Sequence, residues 1–280
     1  MVKKVTIVGG HGNVALRLAR LLSQSPCDYS VTSLVRDGSH APDIVAAGAT
    51  ALVVSLEEAS VADLVKAFTG QDVIVFSAGA GGKGGEARTK KVDYEGAVKV
   101  FDAIEGVDGD TKPRLILVSA VHVLRDPSKM PPHYVCRILN RGFLFIDLFQ
   151  DDQDKVRWET AHQQLRGYLK WKGEADKDLA RRTGFEWTIV RPGGLSDASG
   201  IGKASIGRTH LVPSISVGVL PSWLAWADRD LKRDDVAEVL ALLVDREDAG
   251  GLGIDVVGGD RPIGEGLDAF LEKGETDFLD

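Results

Sequence analysis

The sequence predicts an α/β fold in which a parallel β-sheet is covered by helices on both faces. Short apolar segments alternate with helical patterns through the first two thirds of the chain, and this alternation occurs five times. The strand segments are apolar throughout rather than at every second residue, which is typical of strands buried on both faces. Right-handed connections between such strands give a doubly wound sheet.

The first five strands and the helices between them can be assigned in order. The first helix places Val14, Leu18, Leu21 and Leu22 on one side, as an amphipathic helix does. The predicted strands are KVTIVGG, YSVTSLVRD, ALVVSL, DVIVFSAG and RLILVSAV, and the predicted helices are VALRLARLLSQ, PDIVAAGA, ASVADLVKAFTG and VDYEGAVKVFDAIEG. A loop rich in glycine and lysine, GAGGKGGEARTK, follows the fourth strand.

The pattern is less regular between residues 125 and 165, which we interpret as an insertion. Its apolar residues recur close to helical spacing, so we expect them to form core or a subunit contact. The alternative is a lid that closes an apolar substrate pocket, in which case Trp223 and Trp226 would line the same pocket. The apolar residues are Val135, Ile138, Leu139, Phe143, Ile146 and Phe149.

The last part of the chain returns to helices and strands. The predicted segments are a helix GYLKWKGEADKDLARRTG, a sixth strand FEWTIVRPGG, a helix DDVAEVLALLVD and a final strand GIDVVGG. No internal repeat or linker divides the sequence, so we expect one domain over residues 1–280. Residues 193–232 and 250–280 are expected to form a small C-terminal region on the substrate side.

The composition excludes several classes of partner. The 280 residues carry a net charge of −7, which argues against binding to nucleic acid or an anionic membrane surface. No apolar stretch approaches the roughly 18 to 20 residues that cross a bilayer, and the apolar run near the N-terminus is too short for an export signal. Cys27 and Cys136 have no metal-ligand spacing and are expected to be free thiols, and we expect no metal site. These features favour a cytoplasmic monomer or homodimer that acts on a small molecule.

Three glycines at the end of the first strand indicate a phosphate site. Gly9, Gly10 and Gly12 open the first helix, where backbone N–H groups and the helix dipole favour an anion. Ala15 stands where many such turns carry a last glycine, and its small side chain still permits helix–strand packing. The turn follows the first strand of an alternating pattern, which predicts a Rossmann-type dinucleotide site. We expect its contacts to come from Gly9, Gly10, His11, Gly12, Asn13 and Val14.

The end of the second strand favours NADP(H) over NAD(H). NAD-binding units place a carboxylate there for the ribose 2′-hydroxyl, whereas NADP-binding units place an arginine near the 2′-phosphate. Here the strand ends in Arg36, whose planar guanidinium suits a phosphate. Two alternatives stay open: Arg36 could be an ordinary exposed arginine, and Asp37 could face a ribose instead.

Tyr168 and Lys172 form a candidate catalytic pair. They are four residues apart, so they share one face of the helix that precedes the sixth strand. The carboxyl ends of the flanking strands should carry the ligand crevice. A nearby ammonium favours the phenolate and should lower the tyrosine pKa, which lies near 10 in water. The alternative is a half-buried tyrosine beside a surface lysine.

Several motifs in order resemble one known family. VGGHGNVA, VRD, VIVFSAG, LILVSAV, YLKWK and WTIVRPGGLSD together are similar to the atypical short-chain dehydrogenase/reductases, in particular their NmrA-like, NAD(P)H-binding branch. The resemblance extends from the first strand through the arginine-proline-glycine loop and includes the RDDVAEVL helix. The segment 125–165 is the part that matches weakly.

The resemblance implies roles for residues of this chain. It assigns phosphate contacts to the glycine turn and Arg36, the adenosine side to the loop after the fourth strand, and the nicotinamide side to the loop after the sixth. It also implies that Ser55 replaces an acidic residue after the third strand, next to Leu56. The residues carried over for the two loops and the tyrosine-lysine pair are Ser77, Ala78, Gly79, Pro192, Gly193, Gly194, Tyr168 and Lys172.

The resemblance also implies a catalytic hydroxyl, and two positions are open for it. It lies at or just after the fifth strand, where Ser119 is our candidate for orienting the substrate oxygen and contacting the cofactor. If the required position is that of Val121, this hydroxyl is missing. His122 is then a substitute donor, although we favour a structural role for it in the loop.

Three functions are consistent with these residues. The leading hypothesis is an NADPH-dependent oxidoreductase that reduces a small carbonyl or related substrate, with Tyr168 donating the proton and Lys172 holding the nicotinamide ribose. The second is a non-catalytic NADP(H)-binding redox sensor or regulator, as among NmrA-like proteins that typically lack the tyrosine. The third is an enzyme of the sugar-nucleotide epimerase or dehydratase type, which usually holds NAD tightly.

Overall fold

The structure is a computed structural model that describes residues 2–81, 84–109, 111–121, 123, 152–207 and 231–274. Over residues 152–165 it describes the helical backbone alone. Several sequence-based expectations lie outside these ranges. They concern Cys136, His122, the tryptophans Trp223 and Trp226, the apolar residues between 135 and 149, and most of the loop between 193 and 232.

An eight-stranded sheet forms the centre of the described chain, with the strand order β3-β2-β1-β4-β5-β6-β10-β8. All neighbours in this sheet pair in parallel except β8, which is antiparallel to β10. The strands are β1 (Lys3–Val8), β2 (Tyr29–Val35), β3 (Thr50–Val53), β4 (Val73–Phe76), β5 (Arg114–Val118), β6 (Trp187–Pro192), β8 (Lys203–Gly207) and β10 (Gly253–Pro262). Two short strands, β7 (Leu195–Ser196) and β9 (Leu231–Lys232), pair separately. The predicted Rossmann-type α/β fold is confirmed.

Helices cover both faces of this sheet. One face packs against α1 (Asn13–Ser23), α2 (Ala41–Ala46), α7 (Arg233–Val244) and α8 (Ile263–Leu271), and the other packs against α3 (Val61–Phe68), α5 (Gly96–Glu105) and α6 (Asp152–Ala180). A short helix α4 (Gly85–Thr89) and a π-helical segment (Lys90–Glu95) precede α5. Each face has its own apolar core, since the strands between them are buried on both sides.

Local sequence explains where these elements begin and which side they bury. Helix α1 buries Val14 and Leu18 against the sheet, but Leu21, which we expected on that side, is 42% exposed. Helix α3 begins at a capping box, in which Ser60 and Asp63 exchange side-chain and backbone hydrogen bonds. Strand β3 lies at the edge of the sheet and not between two strands, so its Val53 is exposed.

Several elements differ from the sequence-based assignment, including strand β8, which lies in a segment where no strand was predicted. Helix α6 begins at Asp152, so the last residues of the presumed insertion belong to the helix that carries Tyr168. The glycine-rich loop after β4 leads into helix α4. This helix was not predicted, because its residues show no apolar periodicity. Strand β10 extends to Pro262 and is followed by α8, which we had not assigned. The division into one domain with a C-terminal substrate region stays a prediction. Across the described ranges, no helix has both the length and the apolar character that crossing a bilayer requires.

Candidate functional site

Two adjoining cavities lie at the carboxyl ends of the central strands. The larger has a volume of about 480 Å³ and the smaller about 250 Å³. Both are lined by Gly12 and by the loop after β4, so they form one crevice that passes the glycine turn. Parallel α/β sheets bind ligands in such a crevice, where the strand order reverses on either side of β1.

The glycine turn is shaped by two close backbone approaches. A Cβ on Gly9 would lie 2.6 Å from the Cα of Ala78, and Gly9 also has a φ of +81°. A Cβ on Gly10 would lie 2.4 Å from the Cβ of Ser33 on β2. Gly10 therefore fits the turn against the sheet and, alone among the predicted site residues, lines neither cavity.

The first turn of α1 fits a phosphate group. Gly12 is its N-cap and offers no side chain, and no other side chain caps the helix. Asn13 and Val14, the first two helical residues, line the larger cavity beside Gly12. The N–H groups of a first helical turn have no acceptor inside the helix, and the helix dipole favours an anion there. These features fit the pyrophosphate of a dinucleotide.

Two histidines and two arginines lie among the mostly apolar residues that line the smaller cavity. The stacked imidazole rings of His11 and His40 lie 3.8 Å apart between centroids, and His11 Nε2 is 2.8 Å from Asp43 Oδ2. Asp37 does not line this cavity: its carboxylate accepts a hydrogen bond from the N–H of Ser39 at 2.9 Å, which lowers the pKa of Asp37. The predicted residues that line the smaller cavity are Gly9, His11, Gly12, Arg36, Ser55, Leu56, Ser77, Ala78 and Gly79.

Glu57 is an acidic residue of this cavity that sequence analysis missed. Its carboxylate lies 3.9 Å from Arg36, 3.6 Å from Arg88 and 3.5 Å from Lys91. Sequence analysis noted the absence of an acid at Ser55 and did not consider the position two residues further on. Arg88 was missed because it lies in a segment that was assigned to a loop.

The larger cavity brings together the candidate catalytic residues. Tyr168 and Lys172 from α6 line it, together with Ser119 after β5 and residues 192–194 after β6. Lys172 is buried, and its ammonium donates to the carbonyl of Val118 at 3.0 Å and lies 3.2 Å from Asp93 Oδ1. The predicted residues that line this cavity are Gly12, Asn13, Val14, Ser77, Ala78, Gly79, Ser119, Tyr168, Lys172, Pro192, Gly193 and Gly194.

The pKa of Tyr168 is raised, so the expectation of a lowered pKa is wrong. Burial raises the pKa of the phenol, and the nearby ammonium of Lys172 lowers it by less. Asp93 and Asp176 add to the rise because a second negative charge beside them is unfavourable. Burial by itself would lower the pKa of Lys172, but Asp93, with smaller effects of Tyr168 and Asp176, raises it above 10.5.

Ser119 turns its hydroxyl away from solvent. The residue is 3% exposed and its Oγ is fully buried next to the carboxylate of Asp176. Burial raises the pKa of Asp176, whose Oδ2 accepts a hydrogen bond from Arg191 at 2.9 Å. Val121, the other position considered for a hydroxyl, also lines the larger cavity. The role of Ser119 therefore stays a prediction.

Sequence analysis also missed Asp93 and Arg233, which line the larger cavity, and Asp176, which is buried near Lys172 but does not line it. Asp176 follows Lys172 by four residues, and this spacing could have revealed it. Asp93 approaches from the π-helical segment, so no spacing along the chain relates it to Lys172. Arg233 begins α7 and lines the cavity, with its Nη1 3.0 Å from Asp197 Oδ2.

The fold and the crevice together define a dinucleotide-binding protein of the Rossmann type. A sequence profile described as NAD(P)H-binding matches residues 9–247. The chain therefore belongs to this NAD(P)H-binding family, as the resemblance of its motifs implied.

Three similar proteins extend over nearly the whole chain. A UPF0659 protein of Schizosaccharomyces pombe is 34% identical over 277 residues, which cover 97% of this chain and 96% of that protein. YhfK of Bacillus subtilis, named an uncharacterized sugar epimerase, is 30% identical and covers 94% of this chain and 98% of its own length. A solved structure, a putative NAD-dependent epimerase/dehydratase from Bacillus halodurans, is 28% identical with a TM-score of 0.68 and covers 95% of this chain and 99% of its own.

Proposed function

We propose that this protein is an NADPH-dependent oxidoreductase of the short-chain dehydrogenase/reductase type that reduces a small carbonyl or related substrate. The observation that carries the proposal is the continuous crevice, with the Tyr168–Lys172 pair at one end and Arg36 at the other. The glycine turn lies between these ends, as a dinucleotide that spans them requires. We propose a cytoplasmic protein, as a monomer or homodimer.

Different residues of the crevice would bind different parts of the cofactor. The first turn of α1 would bind the pyrophosphate, Arg36 the 2′-phosphate, residues 77–79 the adenosine side and residues 192–194 the nicotinamide side. When bound, the reduced nicotinamide supplies a hydride to the substrate. The chain itself supplies the positioning and the proton.

Tyr168 would supply that proton. The phenol is protonated at neutral pH, which is the state that a proton donor needs, but its raised pKa makes it a weaker acid than a free tyrosine. Lys172 would hold the nicotinamide ribose while its ammonium remains fixed by Asp93 and Val118. In this proposal Ser119 orients the substrate oxygen, which requires its buried hydroxyl to rotate from Asp176 toward the cavity.

The epimerase or dehydratase function is the second candidate, since the names of two similar proteins favour it. Such an enzyme would keep its nucleotide through turnover, whereas a reductase exchanges it. Arg36 and Arg88 at the smaller cavity support NADPH instead, whereas the epimerase type usually holds NAD. The non-catalytic binder is favoured by one observation, the buried Oγ of Ser119.

Replacement of Tyr168 by phenylalanine tests the proposal. We expect the variant to reduce substrates at least about 100-fold more slowly, because general acid catalysis contributes on the order of 10² to 10⁴. NADPH binding, measured by fluorescence, should change little. The assay is transfer of deuterium from C4-labelled NADPH to a panel of aldehydes, ketones and enones.

Tyr29→Phe is the matched control, since the Tyr29 hydroxyl bonds to Asp245 at 2.5 Å and lies outside the crevice. Equal turnover by wild type and Tyr168→Phe would refute the role of Tyr168. Tight NADPH binding without deuterium transfer to any compound would favour the binder. Nucleotide that copurifies and does not exchange would favour the epimerase.

A further inference from the structure

The carboxylate of Glu57 lies among three cations at the rim of the smaller cavity. Arg36 and Arg88 both approach its Oε1, at 3.9 and 3.6 Å, and Lys91 lies 3.5 Å from its Oε2. These distances exceed those of close charge-assisted hydrogen bonds, which are about 2.7 to 2.9 Å. The group is therefore a loose cluster of charges with a net charge of about +2.

The cluster joins three separate parts of the cavity wall. Arg36 follows β2, Glu57 lies between β3 and α3, and Arg88 belongs to α4. All three line the cavity, whereas Lys91 does not. The side chain of Glu57 is 26% exposed and that of Arg36 is 59% exposed. An anion from solvent can therefore reach Arg36 without a rearrangement of the residues that line the cavity.

The two guanidinium groups suit one tetrahedral anion. Both lie within 3.9 Å of the same carboxylate oxygen, so a single phosphate in place of that oxygen could contact both. The local excess of positive charge favours a dianion over a monoanion, because the cluster would then be close to neutral.

We infer that Glu57 is an internal counter-ion that competes with the 2′-phosphate of NADP(H), and that Arg88 is a second phosphate-binding residue beside Arg36. This inference rests on the proposed function, since it concerns the phosphate that distinguishes NADP(H) from NAD(H). Glu57 is then a specificity-determining residue. It limits the preference for NADP(H), because its negative charge stays near the bound phosphate.

The inference assigns opposite effects to two neighbouring charges. Loss of the Glu57 charge in Glu57→Gln should tighten NADPH binding about 3- to 10-fold, because one negative charge near a phosphate dianion is removed. Loss of the cation in Arg88→Gln should weaken NADPH binding by a similar factor. NADH, which has no 2′-phosphate, should change less than about twofold in both variants.

The experiment measures dissociation constants of NADPH and NADH by titration calorimetry for wild type, Glu57→Gln, Arg88→Gln and Arg36→Ala. Glu58→Gln and Lys90→Gln are matched controls, because they remove the same charges at nearby positions that do not line the cavity. We expect both controls to match wild type. Circular dichroism would establish that each variant is folded.

The outcomes separate this inference from the proposed function. If the wild type does not prefer NADPH, the NADP(H) assignment is refuted and the inference with it. The same holds if Arg36→Ala weakens the binding of NADPH and NADH equally. A normal preference and a selective Arg36→Ala defect, with unchanged NADPH affinity in Glu57→Gln, would refute the inference alone. Weaker NADH binding in Glu57→Gln would also refute it, because Glu57 would then accept from the ribose hydroxyl. An Arg88→Gln variant that binds both cofactors with normal affinity would refute the assignment of Arg88 as a phosphate-binding residue.

Discussion

A single carboxylate, that of Asp93, joins the loop after β4 to the lysine of the crevice. Asp93 Oδ2 accepts a hydrogen bond from the N–H of Ala80 at 2.9 Å, and Oδ1 lies 3.2 Å from the ammonium of Lys172. Both side chains are almost completely buried. A Cβ on Gly79 would lie 3.0 Å from the same carboxylate, so a larger residue there would have to displace it slightly. Asp93 is therefore a positioning residue for Lys172.

We expect Asp93→Asn to destabilise the protein by about 3 kcal/mol at pH 7, because the substitution leaves a buried ammonium without its partner. In the wild type the pKa of Lys172 is raised above 10.5, so its contribution to stability persists up to that pH and is lost above it. In the variant, burial should instead hold this pKa below 10.5. The free energy of unfolding of the variant should then rise with pH between 7 and 10, relative to wild type.

Urea unfolding at pH 7, 8.5 and 10 measures this difference. Glu95→Gln is the control, since Glu95 belongs to the same π-helical segment but forms an exposed pair with Lys90. A variant as stable as wild type at every pH would contradict the role of Asp93. A loss of stability that is the same at all three pH values would show that Lys172 keeps its charge in the variant.

Helix α6 supplies three polar groups to the crevice region from one face. Tyr168, Lys172 and Asp176 are four residues apart in turn, and the spacing brings them into line. The burial of these three side chains depends on Gly173, where a Cβ would lie 2.5 Å from the carbonyl oxygen of Val123. The absence of a side chain at Gly173 thus lets the helix approach the loop after β5 closely enough for Lys172 to reach Val118.

Gly173→Ala should therefore move α6 away from this loop. Overpacking of this kind costs about 1 to 3 kcal/mol, against a gain of up to about 1 kcal/mol in helix propensity. We expect a lower melting temperature together with weaker NADPH binding. The control is Gly264→Ala in α8, where a Cβ would meet no atom within 4 Å and stability should be unchanged or slightly higher. Normal NADPH affinity in Gly173→Ala would show that the close approach does not position Lys172.

The net charge of the whole molecule has the same sign as that of its proposed cofactor. The net charge is −7, yet the smaller cavity carries Arg36 and Arg88. Long-range repulsion of an anionic dinucleotide is screened by salt, as is local attraction at exposed arginines. The 2′-phosphate interaction should be more sensitive to salt than the rest of the binding, because it depends on exposed charge pairs.

Binding of NADPH should stabilise the entire fold, since the crevice joins both halves of the sheet. At 100 times its dissociation constant, a ligand specific for the native state contributes about 2.7 kcal/mol, which corresponds to a rise of about 5 °C or more in melting temperature. We expect NADH at the same concentration to give a smaller shift. Addition of 0.5 M NaCl, about the concentration that reduces the screening length below 5 Å, should reduce the NADPH shift more than the NADH shift. Differential scanning fluorimetry measures the shifts in melting temperature for NADPH and NADH, with ligand-free protein as the reference at each salt concentration. Equal shifts for the two cofactors would argue against a 2′-phosphate site.

Local patterns were sufficient for most of the sheet. The apolar segments and the glycine turn predicted β1, β2, β4, β5 and β6, because these strands lie inside the sheet and their apolar residues are largely buried. The same reasoning failed for the exposed side of β3, because a segment does not reveal whether it has neighbours on both sides. It also missed α4 and α8, which are short and have little periodicity before packing.

The sequence by itself determined the class of fold, the NAD(P)H-binding family and the residues that repeat along one element, such as Tyr168 and Lys172. These features depend on neighbours within a few residues, so spacing along the chain contains them. Only the tertiary structure decided the partners that come from elsewhere, namely Asp93 for Lys172 and Glu57 for Arg36. It also decided the direction of the Tyr168 pKa, because burial is a property of the folded crevice and outweighs the charge of the adjacent lysine.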